Sequence, residues 1–174
     1  MGGGRHHPKG QAIFTVLLNF GAKLNESVDA QTFVGTARKV GFQGDIVLAM
    51  SPGYGGPFLD AVKDANCIVY TIPVKCGIES SIHSIDELCS LDEIPQVKVS
   101  VNMLRFYIYN YWASLYDDEA IIMISDFSDV IFQSNPFEYK KSIWKSTGAQ
   151  LVVFQENFPN KVINRYGKSI ATRD

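Results

Sequence analysis

Two carboxylates lie close together after the most apolar run in the chain. Residues 120–124 read Ala-Ile-Ile-Met-Ile, and Ser125-Asp126-Phe127-Ser128-Asp129 follow at once. Carboxylates held together at a strand end repel each other unless a cation or hydrogen-bond donors neutralise them. Mg²⁺ or Mn²⁺ does this well, because both ions favour carboxylate oxygens together with phosphate oxygens. The plainer reading has Asp126 capping the following turn and Asp129 facing solvent. Local sequence leaves both open. Arg105 adds a cation upstream. At about 100° per residue it falls beside Trp112 on the edge of an apolar helical stripe, so its guanidinium must find an acceptor or reach outward. A diphosphate suits that fork; a structural pair with Asp126 or Asp129 is the alternative. Glu156 follows the apolar run 151–154 and could orient an acceptor, serve as a base, or be a neighbouring structural carboxylate.

The elements that must position these residues alternate between two periodicities. Residues 13–18, Ile-Phe-Thr-Val-Leu-Leu, form a continuous apolar run, as expected for a strand buried on both faces. Ser27 can cap a helix reaching about Val40, ended by Gly41 and Gly44. Residues 46–50 and 68–72 are two further strands, separated by the turn 51–57 and a short helix over 58–65. Strand, helix, strand, helix, strand predicts a parallel, right-handed, Rossmann-like half sheet. The rhythm breaks over residues 74–95, read as loop with a helical turn near 85–89. A long helix over 99–116 follows, with Val101, Leu104, Ile108, Tyr111, Trp112 and Leu115 on one stripe. The fourth strand is 120–124 and residues 130–133 are a short extension. Asn135 then caps a helix that starts at Pro136, and 151–154 is the fifth strand.

In open parallel sheets, ligands bind outside the carboxyl ends of the strands. Asp126, Asp129 and Glu156 all lie at such ends, and so does Asn19, a candidate contact for a nucleotide base by fold analogy. Gly53-Tyr54-Gly55-Gly56 matches no phosphate-binding fingerprint and reads as a tight turn. His83, alone in a polar loop, is assigned no role.

Composition narrows the function classes. The 174 residues are 46% hydrophobic and 20% charged, with a formal net charge of −2. That is ordinary for a soluble globular domain, and no basic face advertises nucleic acid or anionic lipid. The longest apolar runs are too short to span a bilayer, so no transmembrane segment is expected. Residues 1–11, Gly-rich and polar, are expected to be a disordered arm, and residues 12–174 a single domain. Cys67 reads as a small buried hydrophobe. Cys76 and Cys89 flank a polar loop and could pair in an oxidising compartment, though nothing in the sequence demands it.

The stretch from Ile121 to Phe137, Ile-Ile-Met-Ile-Ser-Asp-Phe-Ser-Asp-Val-Ile-Phe-Gln-Ser-Asn-Pro-Phe, resembles the metal-binding segment of nucleotide-diphosphosugar transferases, the glycosyltransferases of GT-A fold. There an apolar strand leads to an Asp-x-Asp-type motif, then apolar residues, then an Asn/Asp-Pro-Phe helix start. The preceding helix with Arg105 is similar, as are Val153-Phe154-Gln155-Glu156 and Asn164-Arg165-Tyr166. In element order the likeness runs from about Ile13 to Tyr166; specific motif residues fall only in the second half. The common motif spaces its acids by two, which puts both side chains on one face of an extended segment. Here the spacing is three. Register with the following apolar residues matches Asp129 to the direct metal ligand and puts Phe127 where the first acid is expected. Asp126 is then displaced by one, to a second ligand, a ribose contact or a contact to a metal-bound water.

The resemblance implies a metal-dependent glycosyltransferase. Mn²⁺ or Mg²⁺ would sit at Asp129, with or without Asp126, and a nucleotide-diphosphate sugar donor at Arg105, Asn19 and Asp126. Glu156 would be catalytic, and the acceptor hydroxyl would be on a glycan, a protein or a lipid. Family members carry further chain after the fifth strand, so an incomplete C-terminus is expected. Many are lumenal in the Golgi and secretory pathway. A second reading is a nucleotide-sugar-binding module without turnover. A third, a phosphohydrolase using the same acids, lacks its companion Asp-x-Asp-x-Thr or His-rich cluster.

Overall fold

A computed structural model describes residues 10–18, 31–76, 88–92, 94–127, 130–138, 162–163 and 169–170. The chain divides into two compact units, Met1–Tyr139 and Lys140–Asp174. In the second unit the described residues are a two-stranded antiparallel pair, Val162–Ile163 with Ser169–Ile170. The expected fifth strand, 151–154, lies outside the described residues.

The first unit is built on a parallel sheet of β1 (Gln11–Leu17), β2 (Asp45–Met50), β3 (Ile68–Thr71) and β7 (Ile121–Ile124), in the order β3-β2-β1-β7. The continuous apolar runs have the expected cause. Ile13 and Leu17 of β1 join Ile46, Leu48 and Met50 of β2 in one buried cluster. Ala12 and Phe14 join Val47 and Ala49 in another, on the opposite face. A strand covered on both sides needs apolar residues at every position. Gln11 belongs to β1, one residue into the segment expected to be an arm.

On the first face, Gln31–Gly35 forms a wide helical turn that runs into α1 (Thr36–Lys39), burying Phe33, Val34 and Ala37. Helix α2 (Gly56–Asp64) adds Phe58 and Val62 to the same cluster. The end of α1 is locked by Arg38, whose guanidinium donates to the carbonyls of Gly44 (2.8 Å), Phe42 (3.0 Å), Ala65 (3.0 Å) and Asn66 (3.2 Å). These bonds satisfy carbonyls beyond the ends of both helices. Gly44 is needed for closeness: an added Cβ would lie 2.1 Å from the Gln11 carbonyl oxygen. The turn 52–53 before α2 is tight, as expected, and Gly53 (φ +106°) and Gly56 (φ +58°) occupy backbone regions that side chains disfavour.

The other face carries α3 (Val101–Ala113), through Leu104, Ile108, Tyr109 and Trp112. The Phe14 ring of β1 meets Trp112 edge-on at 5.5 Å and lies 6.4 Å from Tyr109. The buried stripe is therefore rotated from the expected one. Tyr109 is 3% exposed, whereas Tyr111, placed on the stripe by periodicity, is 47% exposed. The fit to Phe14 turns the helix toward its Arg105–Tyr109 side.

Residues 74–95 also depart from expectation. The described residues of this segment form an antiparallel sheet of β4 (Val74–Cys76), β5 (Leu88–Leu91) and β6 (Ile94–Ser100), while residues 77–87, with most of the helical turn expected near 85–89, lie outside the described residues. Cys76 and Cys89 face each other across β4 and β5 and form a disulfide. Cys89 and Leu91 pack with Leu104 and Ile108 of α3, and β6 runs directly into that helix. The small sheet thus fixes where α3 starts and which way it faces. Beyond β7, residues 130–133 do not extend a strand. Asn135 Oδ1 accepts from the Phe137 N–H at 3.0 Å over a turn at residues 136–138, and the remainder of the helix expected from Pro136 lies outside the described residues. Among the described residues, no helix is long and apolar enough to cross a membrane.

Candidate functional site

The strand order defines a switch point. From β1 the chain steps outward through β2 and β3, then returns to the other side of β1 as β7. In open α/β sheets the carboxyl ends of the two strands that flank such a point, here β1 and β7, are where ligands bind. The Ser125 N–H still pairs with the Phe14 carbonyl at 3.1 Å, so the ladder ends just before Asp126. Asp126 is thereby placed just past the carboxyl end of β7. Asn19, Asp129 and Glu156 lie outside the described residues.

Arg105 reaches the same place from α3. Its Nη1 contacts Asp126 Oδ1 at 2.5 Å, and its Nε donates to the Asn102 carbonyl at 3.0 Å. The guanidinium carbon also sits 5.4 Å from the Phe106 ring centroid. The two side chains are 29% (Arg105) and 60% (Asp126) exposed. Solvent at that level screens the pair, so it stabilises the fold by only about 0.2–1 kcal/mol. That is weak enough for a ligand to break.

Below the pair lies Tyr109, one helical turn after Arg105. Burial pushes its phenol up to about 12; Arg105 pulls in the opposite direction, Asp126 adds to the rise, and the Val16 backbone lowers it. The hydroxyl is thus a neutral, buried neighbour of both charges. Sequence reading missed it, although a tyrosine at i+4 from Arg105 was the available signal.

The segment after β7 is held from the opposite face. Phe127 stacks on Phe33 at 5.0 Å, and Phe132 meets the same ring edge-on at 5.2 Å. The Phe132 N–H donates to the Thr36 hydroxyl at 3.1 Å, and that hydroxyl donates to the Thr32 carbonyl. Phe127 is 3% exposed and Phe132 7%. Two buried aromatic rings therefore pin the chain on either side of residues 128–129. The phenylalanine that replaces an acid in the sequence resemblance is a core anchor, which accounts for its side chain being apolar.

The structure thus brings Arg105 and Asp126 together at the switch point, in the structural pair that the sequence allowed as one alternative. Asp126 is an exposed carboxylate and Arg105 a partly exposed guanidinium, each engaged by the other. Mg²⁺-type sites commonly need only one or two protein carboxylates when phosphates complete the shell. Among the described residues, no group of three or more His, Cys, Asp or Glu side chains forms a self-sufficient metal site. Compared with known protein families, curated proteins and solved structures, the chain matches none.

Proposed function

We propose that this chain is a metal-dependent glycosyltransferase of GT-A type, moving a sugar from a nucleoside-diphosphate donor to an acceptor hydroxyl. The observation that carries the reading is the Arg105–Asp126 pair at the carboxyl end of β7, beside the point where the strand order reverses. A carboxylate and a guanidinium there are what a metal-bound diphosphate requires on its two sides. Asp129, with or without Asp126, would hold the divalent ion, Mn²⁺ or Mg²⁺. When bound, that ion supplies positive charge that eases departure of the nucleoside diphosphate. Arg105 places its fork on diphosphate oxygens, where charge develops as the sugar leaves. Asn19 contacts the base, and Glu156 orients the acceptor or takes its proton. The acceptor is a glycan, a protein or a lipid. The Cys76–Cys89 disulfide supports an oxidising compartment such as the secretory lumen.

The test is release of UDP or GDP from a panel of nucleotide sugars with Mn²⁺ and simple glycoside acceptors. Release dependent on both metal and acceptor supports the transferase. Metal-dependent nucleotide binding without release selects the non-catalytic binding module. No interaction with any nucleotide, in a chain shown to be folded, rejects both.

A further inference from the structure

We infer that Arg105 and Asp126 are an exchangeable pair that makes the site select a cation and a diphosphate together over either alone; this rests on the donor-site reading above. Each group occupies the position the other's ligand needs. A cation alone must displace the Arg105 guanidinium from Asp126, and an anion alone must displace the carboxylate from Arg105. When both arrive, the two broken contacts are replaced at once, carboxylate to metal and guanidinium to phosphate. The pair is exposed enough to open, and Arg105 keeps its Nε bond to the Asn102 carbonyl, which holds the side chain in reach. Both sides are packed: Phe127 lies against Phe33 and Phe58, and α3 is held through Leu104, Ile108 and Trp112. Exchange then needs only side-chain rotation, with no rearrangement of the fold.

The experiment uses inorganic pyrophosphate and Mn²⁺ as probes, on the full chain and on Asp126→Asn, Arg105→Gln and the double variant. Calorimetry reads pyrophosphate without metal, and water-proton relaxation reads Mn²⁺ without pyrophosphate. Exposed pairs of this kind set the expected size. Asp126→Asn should bind metal-free pyrophosphate about two- to fivefold more tightly, and Arg105→Gln should bind Mn²⁺ more tightly by a similar factor. Both should bind the Mn²⁺–pyrophosphate complex more weakly than the parent. A gain on one component with a loss on the combination cannot come from a damaged fold, which weakens everything. The double variant separates exchange from simple removal of charge. In the Arg105→Gln background, Asp126→Asn should leave metal-free pyrophosphate affinity unchanged. If the gain persists there, or if neither single variant gains, the exchange is wrong. Absence of pyrophosphate binding in all forms also overturns it. Because pyrophosphate carries no nucleoside, these outcomes are distinct from failure of UDP or GDP to bind, which overturns the donor reading.

Discussion

The backbone N–H of Phe132 donates to the Thr36 hydroxyl at 3.1 Å, joining residues 96 positions apart. With the Phe33 ring, which touches both Phe127 and Phe132, this bond fastens the segment after β7 to the start of α1. The candidate ligands Asp126 and Asp129 belong to that segment or border it, so groups that touch no ligand set how well it is held.

Thr36→Val tests this. The isostere removes the acceptor and leaves the Phe132 N–H in a buried place without its partner. Such a loss costs about 1–3 kcal/mol. The denaturation midpoint should fall accordingly, and metal-dependent nucleotide binding should weaken although Asp126 is untouched. Unchanged stability and unchanged binding would show that the clamp does not position the segment.

The disulfide gives a second prediction. Cys76 and Cys89 are 13 residues apart and close the loop between β4 and β5. Bridging a loop of this size stabilises by about 2–4 kcal/mol, chiefly by limiting the unfolded chain. Thiol titration in denaturant should find one reactive thiol before reduction and three after. The Cys76→Ala/Cys89→Ala chain should lose stability within that range. Three thiols without reduction would contradict the pairing.

Alkaline pH gives a third. Burial raises the Cys67 thiol from 9.0 to about 11, with Arg38 opposing weakly. Its folded value lies above its unfolded one, so the stability it contributes is complete below pH 9 and is lost as pH rises toward 11. The Tyr116 phenol is raised as well, by burial and by its 2.8 Å bond to Asp45, so total stability also falls for a second reason. Comparison with Cys67→Ala isolates the thiol. Between pH 9 and 11 the parent should lose stability more steeply than the variant. In the folded parent at pH 8, iodoacetamide should modify Cys67 slowly. Identical slopes and rapid modification would show that the thiol is not protected.

Close packing gives a fourth. Gly44→Ala places a methyl group 2.1 Å from the Gln11 carbonyl oxygen and 2.7 Å from the Phe42 ring. Backbone on one side and a buried ring on the other leave no easy relief. A loss of about 1–3 kcal/mol or more is expected, read as a lowered melting temperature. Full retention of stability would mean that β1 and the turn before β2 sit further apart.

The parallel sheet was legible in the sequence because β1 and β2, buried on both faces, read as unbroken apolar runs. Strands β3 and β7 also follow apolar runs although at the sheet edges they are only partly buried, and all four strands begin within a residue or two of where their runs predict. The sheet of β4, β5 and β6 was not. Its first two strands are three and four residues long, and Pro95 in β6 argues against a strand unless it lies at an edge. Pairing across the sheet and the disulfide supply what local periodicity lacks. Helix α3 was placed to within two or three residues at each end, Val99 and Ser100 belonging to β6 instead, but it was rotated, because helical spacing cannot foresee that Phe14 would draw in Tyr109 and leave Tyr111 outside. For the site, Arg105 and Asp126 were legible by type and by their place at a strand end, and their pairing stood as one of two alternatives. Asn19, Asp129 and Glu156 lie outside the described residues, so their places rest on the sequence.

The most direct measurement is calorimetric titration of the folded chain with UDP and with GDP, each with and without Mn²⁺, repeated for Asp129→Ala and for Asp118→Ala in the exposed turn before β7. One nucleotide should bind only with the metal; Asp129→Ala should abolish that dependence, and Asp118→Ala should preserve it. Binding of neither nucleotide, or the same metal-independent affinity in all three proteins, would contradict the donor site.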